Sequence, residues 1–228
     1  MDLLVGDVFR NAARAVPGRL AVAHEGRGMT FGEVDRRANQ VARALIAIGI
    51  GHRDRVVSWT TTSLDVVPVF AALAKLGAPF APASPLLGEQ EALDMIASAS
   101  PSLLAVDDER LDAATRIGKQ LGVPVLSIGR GGLLADAADE QPDDDVPSPP
   151  ELCEGDTHVL FFTSGSTGRP KGVVLSHKVN MLRTHPGAQL EPRGALVSPY
   201  PLFHMGAWTL ALQQWQARDA VIFSGSDA

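Results

Sequence analysis

The sequence lacks the features that mark several common classes of protein. Its 228 residues include a single cysteine, Cys153, which excludes an internal disulfide framework and is typical of a reducing compartment. Lysine and arginine together number 20 against 26 aspartates and glutamates, so the formal net charge is -6. The chain therefore has no excess of basic residues to neutralise nucleic-acid phosphates, and we expect no nucleic-acid partner.

Long apolar runs are also missing. No run approaches the roughly 18 residues that a membrane-spanning helix needs. Asp2, Asp7, Arg10 and Arg14 interrupt the N-terminus, where a signal peptide would need an apolar core. We expect a cytoplasmic protein without a membrane span. Because 45% of the residues are hydrophobic, the chain can bury the core of one large domain or two small ones.

Hydrophobic periodicity predicts alternating helices and strands in the first half of the chain. Apolar residues from Val34 to Ile48 recur at helical spacing, and Gly49 follows where a left-handed residue would end the helix. Further elements are predicted as strands at 55–59, 79–82, 103–106 and 123–128, and as helices at 63–77, at 89–99 and in a segment ending at Gly122. This alternation predicts an α/β fold with a helix-covered, mainly parallel sheet.

An acidic, proline-rich segment divides the chain. Residues 135–156 lack periodicity, which predicts an exposed connector. The elements predicted beyond it are a buried strand at 157–163, a loop at 164–172, a short strand at 173–175, a helix capped by Ser176, strands at 195–198 and 220–223, and a helix at 207–217. We expect one α/β subdomain at residues 1–175 and the start of a second one at 176–228.

The loop after the buried strand carries the most informative pattern, Thr-Ser-Gly-Ser-Thr-Gly-Arg-Pro-Lys-Gly at residues 163–172. Glycines allow backbone N–H groups to line one concave surface, hydroxyls add donors, and a lysine adds a compact positive charge. Together these features predict a phosphate-binding loop. Its predicted binding residues are Thr163, Ser164, Gly165, Ser166, Thr167, Gly168 and Lys171.

The sequence does not match the motifs of other common nucleotide-binding, hydrolase or metal sites. A Walker A loop needs Lys-Ser/Thr directly after its second glycine, whereas Arg169 and Pro170 follow Gly168. No Gly-x-Gly-x-x-Gly follows a strand, and no Gly-x-Ser-x-Gly nucleophile elbow is present. The six histidines show no paired metal-ligand spacing, so we predict no metal site. Composition alone leaves open a flexible surface connection rich in serine and glycine.

The order of residues in the loop closely resembles the phosphate-binding motif of acyl-adenylate-forming enzymes, a family that includes acyl-CoA synthetases, nonribosomal-peptide adenylation domains and beetle luciferases. Segments 30–39, 75–82 and 201–206 are similar to three further motifs of this family, in the same order. We assign the first two segments to structure. The resemblance covers nearly all of the chain and implies the N-terminal part of an AMP-binding enzyme, most like an acyl-CoA synthetase or fatty-acid–CoA ligase.

The resemblance implies a reaction and roles for individual residues. The family joins a carboxylic acid to ATP, releases pyrophosphate, and transfers the acyl group from the adenylate to a thiol such as coenzyme A. It implies Lys171 as the catalytic residue and His204, Met205 and Gly206 as substrate-binding residues, with magnesium arriving bound to ATP. By composition alone, a histidine between Phe203 and Met205 is more typical of a packed core residue.

The resemblance also bears on the acid. Relatives that activate amino acids carry an aspartate after the phenylalanine of the fourth motif, where this chain has His204. A histidine offers no fixed negative charge to an ammonium group. The neighbours Met205, Gly206, Ala207 and Trp208 favour an apolar tunnel. We therefore expect a fatty or other hydrophobic acid, with an aryl acid as an alternative.

The family's adenine-binding and magnesium-binding segment, its ribose-binding aspartate and its C-terminal lid have no counterpart before Ala228. We expect a truncated product or a shortened relative that self-associates through unpaired strand edges and makes no acyl-CoA alone. A non-catalytic remnant that binds a phosphate ligand or a partner protein is the alternative.

Replacing Lys171 by alanine in a full-length version of the enzyme should lower turnover more than ATP affinity. The lysine charge matters most as pyrophosphate departs, and losing one such donor costs about 100- to 1,000-fold in turnover. Pyrophosphate exchange measures the effect. Full exchange activity in the Lys171→Ala variant would show that the assigned role is wrong.

Overall fold

A computed structural model of the protein describes residues 2–163, 171–186 and 194–225. The helices in these ranges are α1 (Gly6–Ala15), α2 (Phe31–Ala47), α3 (Val66–Leu76), α4 (Glu89–Ala99), α5 (Leu111–Leu121), α6 (Leu133–Asp139), α7 (His177–Arg183) and α8 (Met205–Gln216). The strands are β1 (Leu20–His24), β2 (Arg27–Thr30), β3 (Val56–Trp59), β4 (Phe80–Ala83), β5 (Leu103–Val106), β6 (Val125–Ser127), β7 (Thr157–Thr163), β8 (Lys171–Ser176), β9 (Leu196–Ser198) and β10 (Val221–Phe223).

A six-stranded sheet forms the centre of the molecule, in the order β6-β5-β3-β4-β7-β8. All neighbouring pairs are parallel except β7 and β8, which form an antiparallel hairpin. Alternate residues of β5 belong to different cores: Leu103 packs with α1, α2 and α3, and Leu104 packs with α4 and α5. Helices therefore cover both faces, which confirms the predicted α/β fold with a mainly parallel sheet.

A second, four-stranded sheet has the order β2-β1-β10-β9. Its last two strands were predicted from the sequence, but β1 and β2 were not. β1 pairs in parallel with β10, so the first 30 residues and the last strand share one sheet. The predicted boundary at residue 176 therefore does not coincide with the division between the two sheets, and the division into subdomains stays a prediction.

The structure also differs from the predicted connector at residues 135–156. Its first residues belong to α6, and Val146 and Leu152 are buried, although most of the remaining side chains are exposed. The segment is held because α2 donates to its carbonyl groups: Asn39 Nδ2 lies 3.0 Å from the oxygen of Asp143, and Arg43 Nη2 lies 3.0 Å from that of Asp144. The exposed-connector prediction was therefore wrong for the residues in α6 and for Val146 and Leu152. Asp143 and Asp144 are exposed, as predicted, but their backbone is held by α2.

Lys75 opens the second family-like segment, and its side chain is fully buried. Its Nζ lies 2.7 Å from Asp35 Oδ1 and 2.5 Å from Asn39 Oδ1, both on α2. Burial lowers the pKa of Lys75, while Asp35 opposes that shift. Buried charges persist only when they are paired and hydrogen-bonded, so these contacts fix α3 against α2 and give Lys75 a structural role.

Aromatic packing connects the two sheets. Phe70 of α3 stacks on Trp208 of α8, with ring centroids 4.2 Å apart and an interplanar angle of 18°. Phe80 of β4 meets the edge of Phe70 at 5.3 Å. Trp215, two turns further along the same face of α8, donates from Nε1 to the carbonyl of Ala21 in β1 at 3.0 Å. The aromatic rings therefore set the position of α8 relative to both sheets.

Two buried histidines support the base of the β7–β8 hairpin. His158 and His177 have ring centroids 4.9 Å apart, and both side chains are buried. His177 Nδ1 accepts from the backbone N–H of Val5 at 3.2 Å, and Asn180 Nδ2 donates to His158 Nδ1 at 2.9 Å. Burial lowers the pKa of both rings, that of His177 to about 4. Both histidines are therefore neutral at pH 7, and His177 is the first residue of α7, as the sequence predicted.

Two glycines with the same backbone conformation should tolerate alanine differently. Gly77 and Gly122 follow α3 and α5 with φ of 67° and 69°. A Cβ on Gly122 meets nothing within 4 Å, whereas one on Gly77 lies 2.6 Å from Leu152 Cδ1 and 2.9 Å from His52 Cδ2. Gly122→Ala should cost about 1 to 2 kcal/mol from left-handed strain. Gly77→Ala should cost about 1 to 3 kcal/mol more from overpacking. Urea unfolding of the two variants measures the difference, and equal costs would contradict the close contact.

The histidine pair should make the protein less stable in mild acid. The pKa of His177 is lowered from its ordinary value of 6.5 to about 4 in the folded protein. The contribution of the neutral ring to the free energy of unfolding is therefore fully present above pH 6.5 and is lost as the pH drops towards 4. Each such proton adds about 1.4 kcal/mol per pH unit to the slope. His177→Asn keeps an acceptor for Val5 but does not titrate, so it should flatten the slope. The exposed His185→Asn is the matched control, and an unchanged slope in His177→Asn would refute this account.

Candidate active site

The predicted phosphate-binding loop connects β7 to β8, and we call the end of the hairpin at Thr163 and Lys171 the hairpin mouth. Thr163 pairs with Lys171 as the last residue pair of the ladder. Because Lys171 is paired, β8 begins there, earlier than the strand start predicted at residue 173. Five predicted binding residues lie outside the described residues: Ser164, Gly165, Ser166, Thr167 and Gly168. The pairing nevertheless fixes both ends of the loop next to each other.

The position of the hairpin in the sheet explains why a ligand site is expected there. β7 pairs in parallel with β4, so the loop leaves β7 at the carboxyl end of the parallel strands. Open α/β sheets bind ligands in the crevice beyond the carboxyl ends of their strands. Lys171 is exposed at the start of β8, which forms the edge of the sheet. Of Thr163, only the backbone pairing is described. The structure thus brings Thr163 and Lys171 together at the carboxyl end of β7, where Lys171 is exposed.

The helix after the hairpin begins with a side-chain cap. Ser176 Oγ accepts from the backbone N–H of Val179 at 3.2 Å, which confirms the predicted cap. The backbone N–H of His177 donates to the carbonyl of Asp156 at 3.1 Å. Asp156 is itself held by Arg53 Nη2 at 3.0 Å, and hydrogen bonds including that from the N–H of Cys153 lower the pKa of its carboxyl group. The start of α7 is therefore tied to the strand that precedes the loop.

The predicted substrate-binding residues lie at the start of α8. The helix was predicted from residue 207, but it begins at Met205 because His204 caps it: His204 Nδ1 accepts from the backbone N–H of Gly206 at 3.0 Å. Leu202 is buried, and its N–H donates to Thr62 Oγ1 at 3.0 Å, whereas His204 and Met205 are exposed. His204 is thus a surface residue at a helix N-terminus. The alternative of a packed core histidine is wrong.

Polar contacts join the helix after the hairpin to the helix after His204. Arg183 of α7 donates from Nη2 to Thr209 Oγ1 of α8 at 2.8 Å, and Thr209 Oγ1 donates to the carbonyl of Met205 at 2.9 Å. Gln216 Nε2 donates to Thr184 Oγ1 at 2.6 Å near the other end of α8. The hairpin and the His204 segment are therefore held through α7 and α8. The sequence analysis missed Arg183 and Thr209, because neither lies within a recognisable motif.

Tyr200 is a further residue that the sequence analysis missed. Its ring stacks on that of His204 with centroids 5.1 Å apart and an interplanar angle of 14°. An aromatic residue between two prolines, four positions before the histidine, was the signal available in the sequence.

Among the described residues, no group of three or more His, Cys, Asp or Glu side chains has the geometry of a metal site. Within the same part of the chain, the helices are too short or too polar to cross a bilayer.

Comparison with known proteins identifies the family. The family described as AMP-binding enzyme matches residues 9–220. Feruloyl-CoA synthase from an Amycolatopsis species is 34% identical over 203 residues, which cover 86% of this chain and 38% of that protein. Surfactin synthase subunit 2 from Bacillus subtilis is 31% identical over 176 residues, which cover 77% of this chain and 5% of that protein.

Solved structures agree with this assignment. A protein assigned as a long-chain-fatty-acid CoA ligase from Rhodopseudomonas palustris superposes with a TM-score of 0.86 at 25% identity, over 98% of this chain and 58% of that one. ATP-bound MatB from the same species gives 0.84 at 25% identity, over 98% and 45%. The chain spans less than two thirds of the length of each of these four relatives. It belongs to the AMP-binding enzyme family, and its fold is that of the N-terminal part of an adenylate-forming enzyme.

Proposed function

We propose that the protein activates a hydrophobic carboxylic acid with ATP and passes the acyl group to coenzyme A. The observation that carries this proposal is the chemistry of residues 199–208, which contain no acidic side chain. His204 accepts a hydrogen bond through Nδ1 here, so this nitrogen carries no proton in this geometry. A site without a fixed negative charge suits a carboxylate and cannot pair with an ammonium group.

The residues at the hairpin mouth suit the first step. A carboxylate oxygen attacks the α-phosphorus of ATP, the bond to the bridging oxygen breaks, and pyrophosphate leaves with the electron pair. Lys171, exposed beside the ends of the loop, supplies a positive charge for the departing oxygens. Such a charge accelerates the reaction only if it stabilises the transition state more than bound ATP. In the second step, a thiol attacks the acyl carbonyl and AMP leaves.

The described residues are compatible with ATP as a substrate and with magnesium as the ion bound to it. Lys171 at the loop can donate hydrogen bonds to phosphate oxygens. An ATP-bound relative has the same fold over 98% of this chain. Magnesium would arrive bound to the phosphates of ATP. The names of feruloyl-CoA synthase and the CoA ligase support coenzyme A as the acceptor.

Activation of an amino acid is the second candidate. Surfactin synthase subunit 2, which is not named as a CoA ligase, is a relative at 31% identity. His204 and the apolar residues beside it favour the hydrophobic acid. Met205 is 41% exposed at the start of α8, so an apolar surface is open to a ligand there. An aryl acid belongs in the test, because feruloyl-CoA synthase is among the relatives.

The acid can be identified with the complete gene product that carries this sequence. We expect pyrophosphate exchange and thioester formation with fatty or aryl acids and none with α-amino acids. His204→Asp should lower exchange with the preferred acid on the order of tenfold or more, because it places a like charge beside the carboxylate. His204→Asn, matched in shape but neutral, should lose less. Exchange that depends on amino acids, with the hydrophobic acids inert, would overturn the proposal.

A further inference from the structure

The backbone on either side of Tyr200 is fixed. Pro199 and Pro201 flank it and restrict its backbone. Ser198, fully buried at the end of β9, accepts from the N–H of Tyr200 at 3.3 Å and donates to its carbonyl at 3.2 Å. The Tyr200 residue is nevertheless 44% exposed. An exposed aromatic ring on a fixed backbone is suited to holding a neighbouring side chain.

His204 is held on two sides. The ring of Tyr200 lies nearly parallel to it, at 5.1 Å and 14°. The backbone N–H of Gly206 donates to Nδ1 at 3.0 Å. A nitrogen that accepts a hydrogen bond cannot carry the proton, so the neutral ring must carry it on Nε2. No described residue bonds to Nε2, so this N–H group remains available as a donor to a ligand.

Gly206 completes the arrangement because a side chain at this position would press on both rings. A Cβ at this position would lie 3.0 Å from His204 Nδ1 and 3.0 Å from Tyr200 Cδ2. Both distances are shorter than ordinary van der Waals contacts, so any larger residue would move one of the two rings. Tyr200, His204 and Gly206 therefore form a single packed unit at the start of α8.

We propose that Tyr200 is a positioning residue for His204: it holds the ring so that its Nε2–H donates to a carboxylate oxygen of the acid substrate. The identity of the ligand rests on the proposed function, whereas the orientation of the ring does not. A neutral donor suits a carboxylate that must later act as a nucleophile, because it orients the oxygen without the strong charge neutralisation of a cation. Only a ring fixed in this tautomer supplies that donor.

The orientation can be tested in the purified protein by long-range proton–nitrogen NMR of labelled histidine, with the His204 signals assigned by their loss in His204→Gln. The Nε2–H form should dominate in the wild type and in Tyr200→Phe, which keeps the aromatic face. It should give way to a mixture of tautomers in Tyr200→Leu. Gly206→Ala is the second variant, since it displaces the same contact by another route. Identical tautomers in all four proteins would overturn the positioning role.

The ligand is tested separately by titrating octanoate and ferulate into the same samples. Either carboxylate should shift the His204 Nε2 resonance of the wild type and of Tyr200→Phe, with apparent affinity reduced by a few-fold to about tenfold in Tyr200→Leu, the range expected for one aromatic contact. Butylamine is the control ligand and should leave the resonance unchanged. A tautomer that follows the variants while neither acid shifts His204 would overturn the donor role and count against the proposed function, but would leave the orientation intact.

Discussion

The stacking of Phe70 on Trp208 is the interaction on which the rest of this structure depends. Phe70 lies on α3 and touches Phe80 of β4 and His158 of β7, so it packs against the sheet that carries the phosphate-binding hairpin. Trp208 lies on α8, four residues after His204, and packs over the second sheet. The two rings are fully buried and 4.2 Å apart. This stacking therefore fixes α8, which His204 caps, relative to the sheet that carries the phosphate-binding hairpin.

This division between rigid support and chemical groups suits an enzyme that must hold several reactants in line. The buried histidines, the Ser176 cap and the Arg183–Thr209 contact fix α7 and α8. Lys171, at the start of β8, and His204, which caps α8, remain exposed. Preorganised donors contribute most to catalysis when their supports do not have to rearrange. His204 caps a helix that packs against the core, whereas Lys171 begins an exposed edge strand that is held by its pairing with β7.

Local signals in the sequence predicted much of this arrangement. The glycine at residue 77, the helical spacing of 34–48 and the Ser176 cap act within a few residues of the chain, so their consequences can be predicted from pattern alone. The pairing of β1 with β10 joins residues about 200 positions apart, and no local pattern encodes such a pairing. For the same reason the sequence could not show that α2 side chains hold the acidic segment, or that Tyr200 stacks on His204.

Following the phosphates of ATP tests directly whether the protein forms an acyl adenylate. The complete gene product would be incubated with magnesium, a hydrophobic acid and ATP labelled at the α-phosphorus, without a thiol acceptor. We predict labelled AMP, free or as the acyl adenylate, in amounts equal to the pyrophosphate released, and only when the acid is present. Release of ADP and phosphate, or formation of AMP that does not depend on the acid, would contradict the claim.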